Sequence, residues 1–115
     1  MSDLLNSLTI ELRRGTLTLA VLSQLSIPQY GYSLVQLLEK SGITIDQSTL
    51  YPLLRRLEKQ ELVTSSWDTS ESRPRKYYTI SPFGIDTYKQ LKYEWEIMTC
   101  ELNLVLKGDE TNETD

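Results

Sequence analysis

The chain has no histidine and a single cysteine, Cys100, in 115 residues. Without histidine the commonest general base near neutral pH is missing, and one cysteine cannot build a zinc site. Nor can a lone thiol form an internal disulfide, which suits a reducing compartment and makes the cytoplasm the expected location. Cys100 has only Lys92 nearby as a cation and reads as an inert thiol. Five glycines are scattered rather than clustered, so there is no phosphate-cradling loop. No run approaches the ~20 apolar residues of a membrane helix. The opening Met1-Ser-Asp-Leu-Leu-Asn6 lacks the basic start of a signal peptide. With no Cys/His pair and no carboxylate pair beside an apolar pocket signal, neither an enzyme nor a metal or cofactor site is expected.

What is present is a modest single domain with an uneven charge distribution. The net charge is −4. Residues 46–80 hold six cations against five anions, whereas residues 81–115 hold three lysines against eight carboxylates. The acidity therefore belongs to the C-terminal third and leaves the middle free to meet a polyanion.

The most informative stretch is Asp46-Gln-Ser-Thr-Leu-Tyr-Pro-Leu-Leu-Arg-Arg-Leu-Glu-Lys-Gln-Glu61. Leu50, Leu53, Leu54 and Leu57 recur at helical spacing and predict one buried face. The other faces carry Thr49, Tyr51, Arg55, Arg56 and Lys59, groups that suit phosphates and base edges. Pro52 belongs in a first helical turn, which places the N-cap at Gln47 or Ser48, with Ser48 the better capping residue. The helix N-terminus would then offer free N–H groups to a phosphate-lined groove. An ordinary solvated cationic face is the alternative for this stretch taken alone, and Arg56 could simply pair with Glu58 or Glu61.

Before it, Leu4, Leu5, Leu8 and Leu12 predict an amphipathic helix over 4–14, interrupted at Gly15-Thr16. Leu17 to Leu25 is a core segment, Ser26 to Gly31 a loop, and Tyr32 to Lys40 a short helix capped by Ser41-Gly42. Ile43-Thr-Ile45 predicts a brief strand. After Glu61 the period becomes two: Leu62–Trp67 and Arg75–Ile80 form a hairpin around a polar loop over 68–74. Arg73, Arg75 and Lys76 make its far end basic, and Tyr77 and Tyr78 read as hairpin and core residues. Ser81-Pro82 then starts a long helix. Ile85, Tyr88, Leu91, Trp95, Met98, Leu102 and Val105 form a heptad-like seam that asks for a partner helix. Gly108 is the expected stop, and residues 108–115 a disordered acidic tail.

These elements predict a mostly α (α+β) winged helix-turn-helix over residues 1–80, with a two-stranded wing, and a C-terminal dimerisation helix over 81–107. The cationic helix would enter a major groove while the wing reaches flanking phosphates. The stretch Thr49–Lys59 with Leu62-Val63, then Arg73-Pro-Arg-Lys-Tyr-Tyr-Thr-Ile-Ser81 and Gly84, resembles the PadR family of bacterial transcriptional regulators. Arg14-Gly-Thr-Leu17 and Tyr30-Gly-Tyr-Ser33 extend the resemblance to residues 10–106. The short C-terminus is similar to the subfamily with one dimerisation helix, which includes multidrug-responsive repressors.

The resemblance implies a cytoplasmic homodimeric repressor of a pseudo-palindromic double-stranded DNA operator, with no membrane partner. It makes Thr49, Tyr51, Arg55 and Arg56 recognition-helix contacts, and Arg73, Arg75 and Lys76 wing contacts; Ser48, at the start of the same helix, is expected to join Thr49 and Tyr51 at the groove. Leu4, Leu8, Ile85, Tyr88, Leu91, Trp95, Met98 and Leu102 would form the dimer interface. Trp95, with Met98 beside it, would stack on a small planar aromatic effector. The chain departs from the family pattern at Ser48 and Glu61, where glycine is frequent. The alternative is a winged-helix protein-interaction module without DNA binding, suggested by the net acidity and Glu61.

Overall fold

A computed structural model describes the backbone of residues 2–113 and the side chains of residues 2–108. Four helices and one hairpin follow in the order α1 (Ser2–Ser23), α2 (Gly31–Lys40), α3 (Gln47–Lys59), β1 (Val63–Asp68), β2 (Arg75–Ile80) and α4 (Pro82–Glu113). The architecture is a mostly helical winged helix-turn-helix with a long C-terminal helix.

The core forms where three helices and the hairpin meet. Val21, Leu22 and Leu25 pack with Leu34 and Leu38 of α2 and with Leu50, Leu53, Leu54 and Leu57 of α3. Val63 and Tyr78 close the core from the hairpin. All four leucines expected on the inner face of α3 are buried. The strands pair antiparallel, with Val63 opposite Ile80 and Asp68 opposite Arg75.

Four expectations need correction. α1 runs unbroken through Gly15, because one interior glycine costs a helix only ~1 kcal/mol and the helix gains one hydrogen bond per residue by continuing. Residues 43–45 form no strand; the third segment beside the hairpin is instead Gln29, which exchanges backbone hydrogen bonds of 3.0 and 2.8 Å with Tyr78. The cap of α3 is Asp46, so Pro52 is the sixth helical residue rather than a first-turn one. Its ring costs only the hydrogen bond that Ser48 would have accepted. Finally, α4 passes through Gly108 to Glu113, so the predicted tail is helical that far; Thr114 and Asp115 lie outside the described residues.

Both α2 and α3 end in the same capping geometry. After α2, Gly42 takes φ +87°, its N–H donates to the Glu39 carbonyl (2.9 Å), and the Ile43 N–H donates to Leu38 (2.9 Å). After α3, Glu61 takes φ 65°, its N–H donates to Glu58 (2.9 Å), and the Leu62 N–H donates to Leu57 (2.9 Å). This pair of bonds satisfies carbonyls that a helix end leaves open, and it needs a left-handed residue. One site has glycine and the other a glutamate.

Ser81 joins the hairpin to α4. Its hydroxyl donates to the Glu61 carbonyl (2.7 Å) and accepts from the Gly84 N–H (2.9 Å). A Cβ on Gly84 would stand 2.0 Å from the Leu62 carbonyl oxygen, so only glycine lets α4 lie this close to the wing root.

Candidate nucleic-acid interface

The wet face of α3 begins with a carboxylate. One oxygen of Asp46 accepts the Thr49 N–H (2.9 Å) and the Ser48 hydroxyl (2.6 Å). Those bonds, the Ser48 hydroxyl first and the Thr49 groups next, hold the Asp46 carboxyl below its ordinary pKa. The helix N-terminus is thus occupied by the chain's own anion. It does not offer the open set of N–H groups that a cap at Ser48 would have left. Ser48 and Thr49 remain exposed beside it.

Further along, the predicted contacts separate by environment. Arg55 is exposed and has no hydrogen bond or ion pair among the described residues. Arg56 turns toward α1, where its guanidinium reaches the Thr18 hydroxyl at 3.5 Å, and not toward Glu58 or Glu61. Tyr51 is half-buried against the start of α2: a Cβ on Gly31 would lie 2.3 Å from its hydroxyl. The phenol therefore fixes the angle between α2 and α3 and presents only part of its ring outward.

The wing is tied to α3 through Glu58. Its carboxylate accepts a short hydrogen bond from the Ser65 hydroxyl and forms an ion pair with Lys76 Nζ at 3.4 Å. The Ser65 bond is the main reason the Glu58 carboxyl sits below its ordinary pKa, with Lys76 adding to it against the effect of burial. Lys76 also lies 5.4 Å from the Tyr78 ring. Lys76 is thus engaged with α3, with its side chain still about a third exposed.

Arg75 points to the opposite side of the hairpin. Its guanidinium stacks 4.6 Å above the Tyr30 ring, and Tyr30 meets Tyr77 edge-on at 5.4 Å. Arg73, in the turn, is exposed and carries no partner. Among the described residues the cations of α3 and the wing that have no ion pair are therefore Arg55, Arg56, Lys59, Arg73 and Arg75, with Arg75 pre-oriented by an aromatic support.

Two features were not anticipated from the sequence. Arg13 and Arg14 line a groove of about 440 Å³ with Ile10, Leu17, Ile45, Asp46 and Thr49, which brings α1 cations to the N-terminal end of α3. Tyr30 supports Arg75 across about 45 residues of sequence, a distance at which no local spacing rule applies.

The expected dimer residues are divided. Leu4 and Leu8 on α1, and Ile85, Leu91, Trp95, Met98 and Leu102 on α4, are all exposed. Tyr88, by contrast, is half-buried and packs partly against the protein's own core. Trp95 lines a shallow groove of about 390 Å³ between α1 and α4, together with Thr16, Leu19, Ala20, Ser23, Tyr88 and Lys92. Met98 does not line it. Among the described residues no helix is long and apolar enough to cross a membrane, and no cluster of side chains could hold a metal.

Residues 18–90 match the model of the transcriptional regulator PadR-like family. A PadR family transcriptional regulator from Eggerthella lenta is 45% identical, with a TM-score of 0.86 over 91% of this chain and 94% of that one. A transcriptional regulator from Clostridium thermocellum is 34% identical, with a TM-score of 0.75 over 81% of this chain and 95% of that one. An uncharacterised protein of Lysinibacillus sphaericus is 31% identical over 84 residues, 70% of this chain and 77% of that protein.

Proposed function

The chain belongs to the PadR-like family of transcriptional regulators, a family of regulators and not of enzymes, and on that premise we propose that it is a homodimeric repressor. Each subunit inserts α3 into a major groove, with Ser48, Thr49 and the outward edge of Tyr51 at the base edges and Arg55 on phosphate. Arg73 and Arg75 of the wing take flanking phosphates, while Lys76 holds the wing and Arg56 steadies α3 against α1. Two such units related by a two-fold axis read a pseudo-palindrome with half-sites ~34 Å apart.

The observation that carries this reading is the Glu58 clamp. By binding Ser65 and Lys76 it fixes the wing against α3, so that Arg55 and Arg73 stand as partnerless cations on a single rigid frame. Support for the dimer comes from α4, whose exposed Leu91, Trp95, Met98 and Leu102 repeat at three and four residues. Trp95, beside an open groove, supports an effector that is planar and aromatic, stacked between this indole and its symmetry mate. Its binding would change the angle between subunits and pull the two α3 helices out of register with the half-sites.

Fluorescence anisotropy against DNA from directly upstream of the gene, beside a scrambled duplex, tests the central reading. Selective binding that weakens with salt is expected. Arg55→Ala and Arg73→Ala should each lower the salt slope by about one. Absence of any salt-dependent binding would leave the protein-interaction module as the better account.

A further inference from the structure

Trp67 is 64% exposed, in a hairpin whose other strand residues are polar, cationic or built into the core and the Tyr30 cluster. Strand alternation places it with Val63 and Ser65 on one face of β1. That face looks at α3, because Val63 is in the core and Ser65 binds Glu58. Trp67 stands directly opposite Lys76, whose ammonium is also drawn to Glu58. It lies four residues beyond Val63, ~13 Å further from the root of α4 at 3.3 Å per residue. The indole stands outside the packed core of its own subunit.

The clamp explains what this face lacks. With Lys76 paired to Glu58, the cation at that level of the α3-facing side of the wing is already engaged. What it offers is a flat apolar ring with one N–H donor and no acceptor. That chemistry matches a strand of deoxyribose and phosphate at the rim of the groove that α3 enters: the ring packs on the sugar and Nε1–H donates to a phosphate oxygen.

We propose that Trp67 is a DNA-contacting residue, a neutral contact to the sugar–phosphate strand lying between α3 and the wing. This rests on the DNA-binding reading above. Trp67 would set the depth to which α3 enters the groove, and it would do so without releasing counterions, since it brings no charge.

The experiment uses the full chain and a duplex enriched from a random pool by the wild-type protein. Trp67→Ala should lose about 10-fold in affinity, the scale of a lost hydrogen bond to a charged acceptor, with the salt slope unchanged. Trp67→Phe should fall between the two, keeping the packing and losing the donor. In protein labelled with fluorotryptophan, the Trp67 resonance, assigned through Trp67→Phe, should shift and become shielded from a soluble quencher when the duplex binds. An unchanged affinity for Trp67→Ala overturns the proposal, as does a Trp67 resonance that stays put while anisotropy reports a bound duplex. In both cases the regulator reading survives. If no duplex is enriched, that reading and the proposal fall together.

Discussion

Glu61 sits where a helix cap asks for a residue without a Cβ. Its φ of 65° and the two capping hydrogen bonds match those at Gly42, so the chain contains its own control for the substitution. A left-handed residue with a side chain costs ~1–2 kcal/mol, against which a glycine loses some conformational entropy on folding. Glu61→Gly should therefore raise stability by about 0.5–1 kcal/mol, read as a higher urea midpoint at unchanged slope. It should also tighten DNA binding at low salt, because it removes a carboxylate from the turn that follows the recognition helix. The sequence pointed to this position only as a departure from a family pattern. Why the departure matters became visible once the backbone angle was known.

At the scale of elements, the bond between α3 and the wing is electrostatic and should respond to pH. Glu58 is held below its ordinary carboxyl value of 4.5, so its contribution is fully present above that value and is lost as the pH falls through its lower folded value. Below it, a neutral carboxyl no longer pairs with Lys76. Glu58→Gln should cost about 1 kcal/mol at neutral pH, a charge-assisted hydrogen bond discounted for partial exposure. Melting curves across acidic pH should show the wild type losing this margin, so that it converges toward the variant. A constant gap between the two curves would speak against the clamp. Ser65 and Lys76 were legible as strand residues, and Glu58 as a helix residue. Their meeting was not, because it depends on how the hairpin folds back over α3.

For the whole molecule, the question is what covers the apolar surface that one chain leaves open. Leu102 is 52% exposed and lies on the outer seam of α4, which extends away from the winged domain. If two copies pack there, Leu102→Glu buries a carboxylate without a partner, which is strongly unfavourable. The dimer dissociation constant should rise by about 100-fold or more, on the order of 3 kcal/mol for an unpaired buried charge. Sedimentation equilibrium measures it directly. Operator affinity should fall with it, since each half-site would then be bound by a separate subunit. A variant that remains dimeric would place the interface elsewhere, with the exposed Leu4 and Leu8 face of α1 as the remaining surface.

The sequence by itself determined the buried leucine face of α3, the Ser81 cap, the two strands of the wing and the long helix that follows them. Each of these follows from local rules: helical or alternating periodicity, a capping hydroxyl before proline, a polar turn between β-rich runs. Tertiary structure decided where the predicted cations are held. Lys76 is bound to Glu58, Arg56 turns to Thr18, and Arg75 rests on Tyr30, each partner lying far away in the chain. Asp46, not Ser48, closes the start of α3, and Gly15 and Gly108 stay inside helices, outcomes of local competition that periodicity alone does not rank. A side chain's charge can be read from one residue, but whether that charge is available depends on neighbours that only folding brings within a few ångströms.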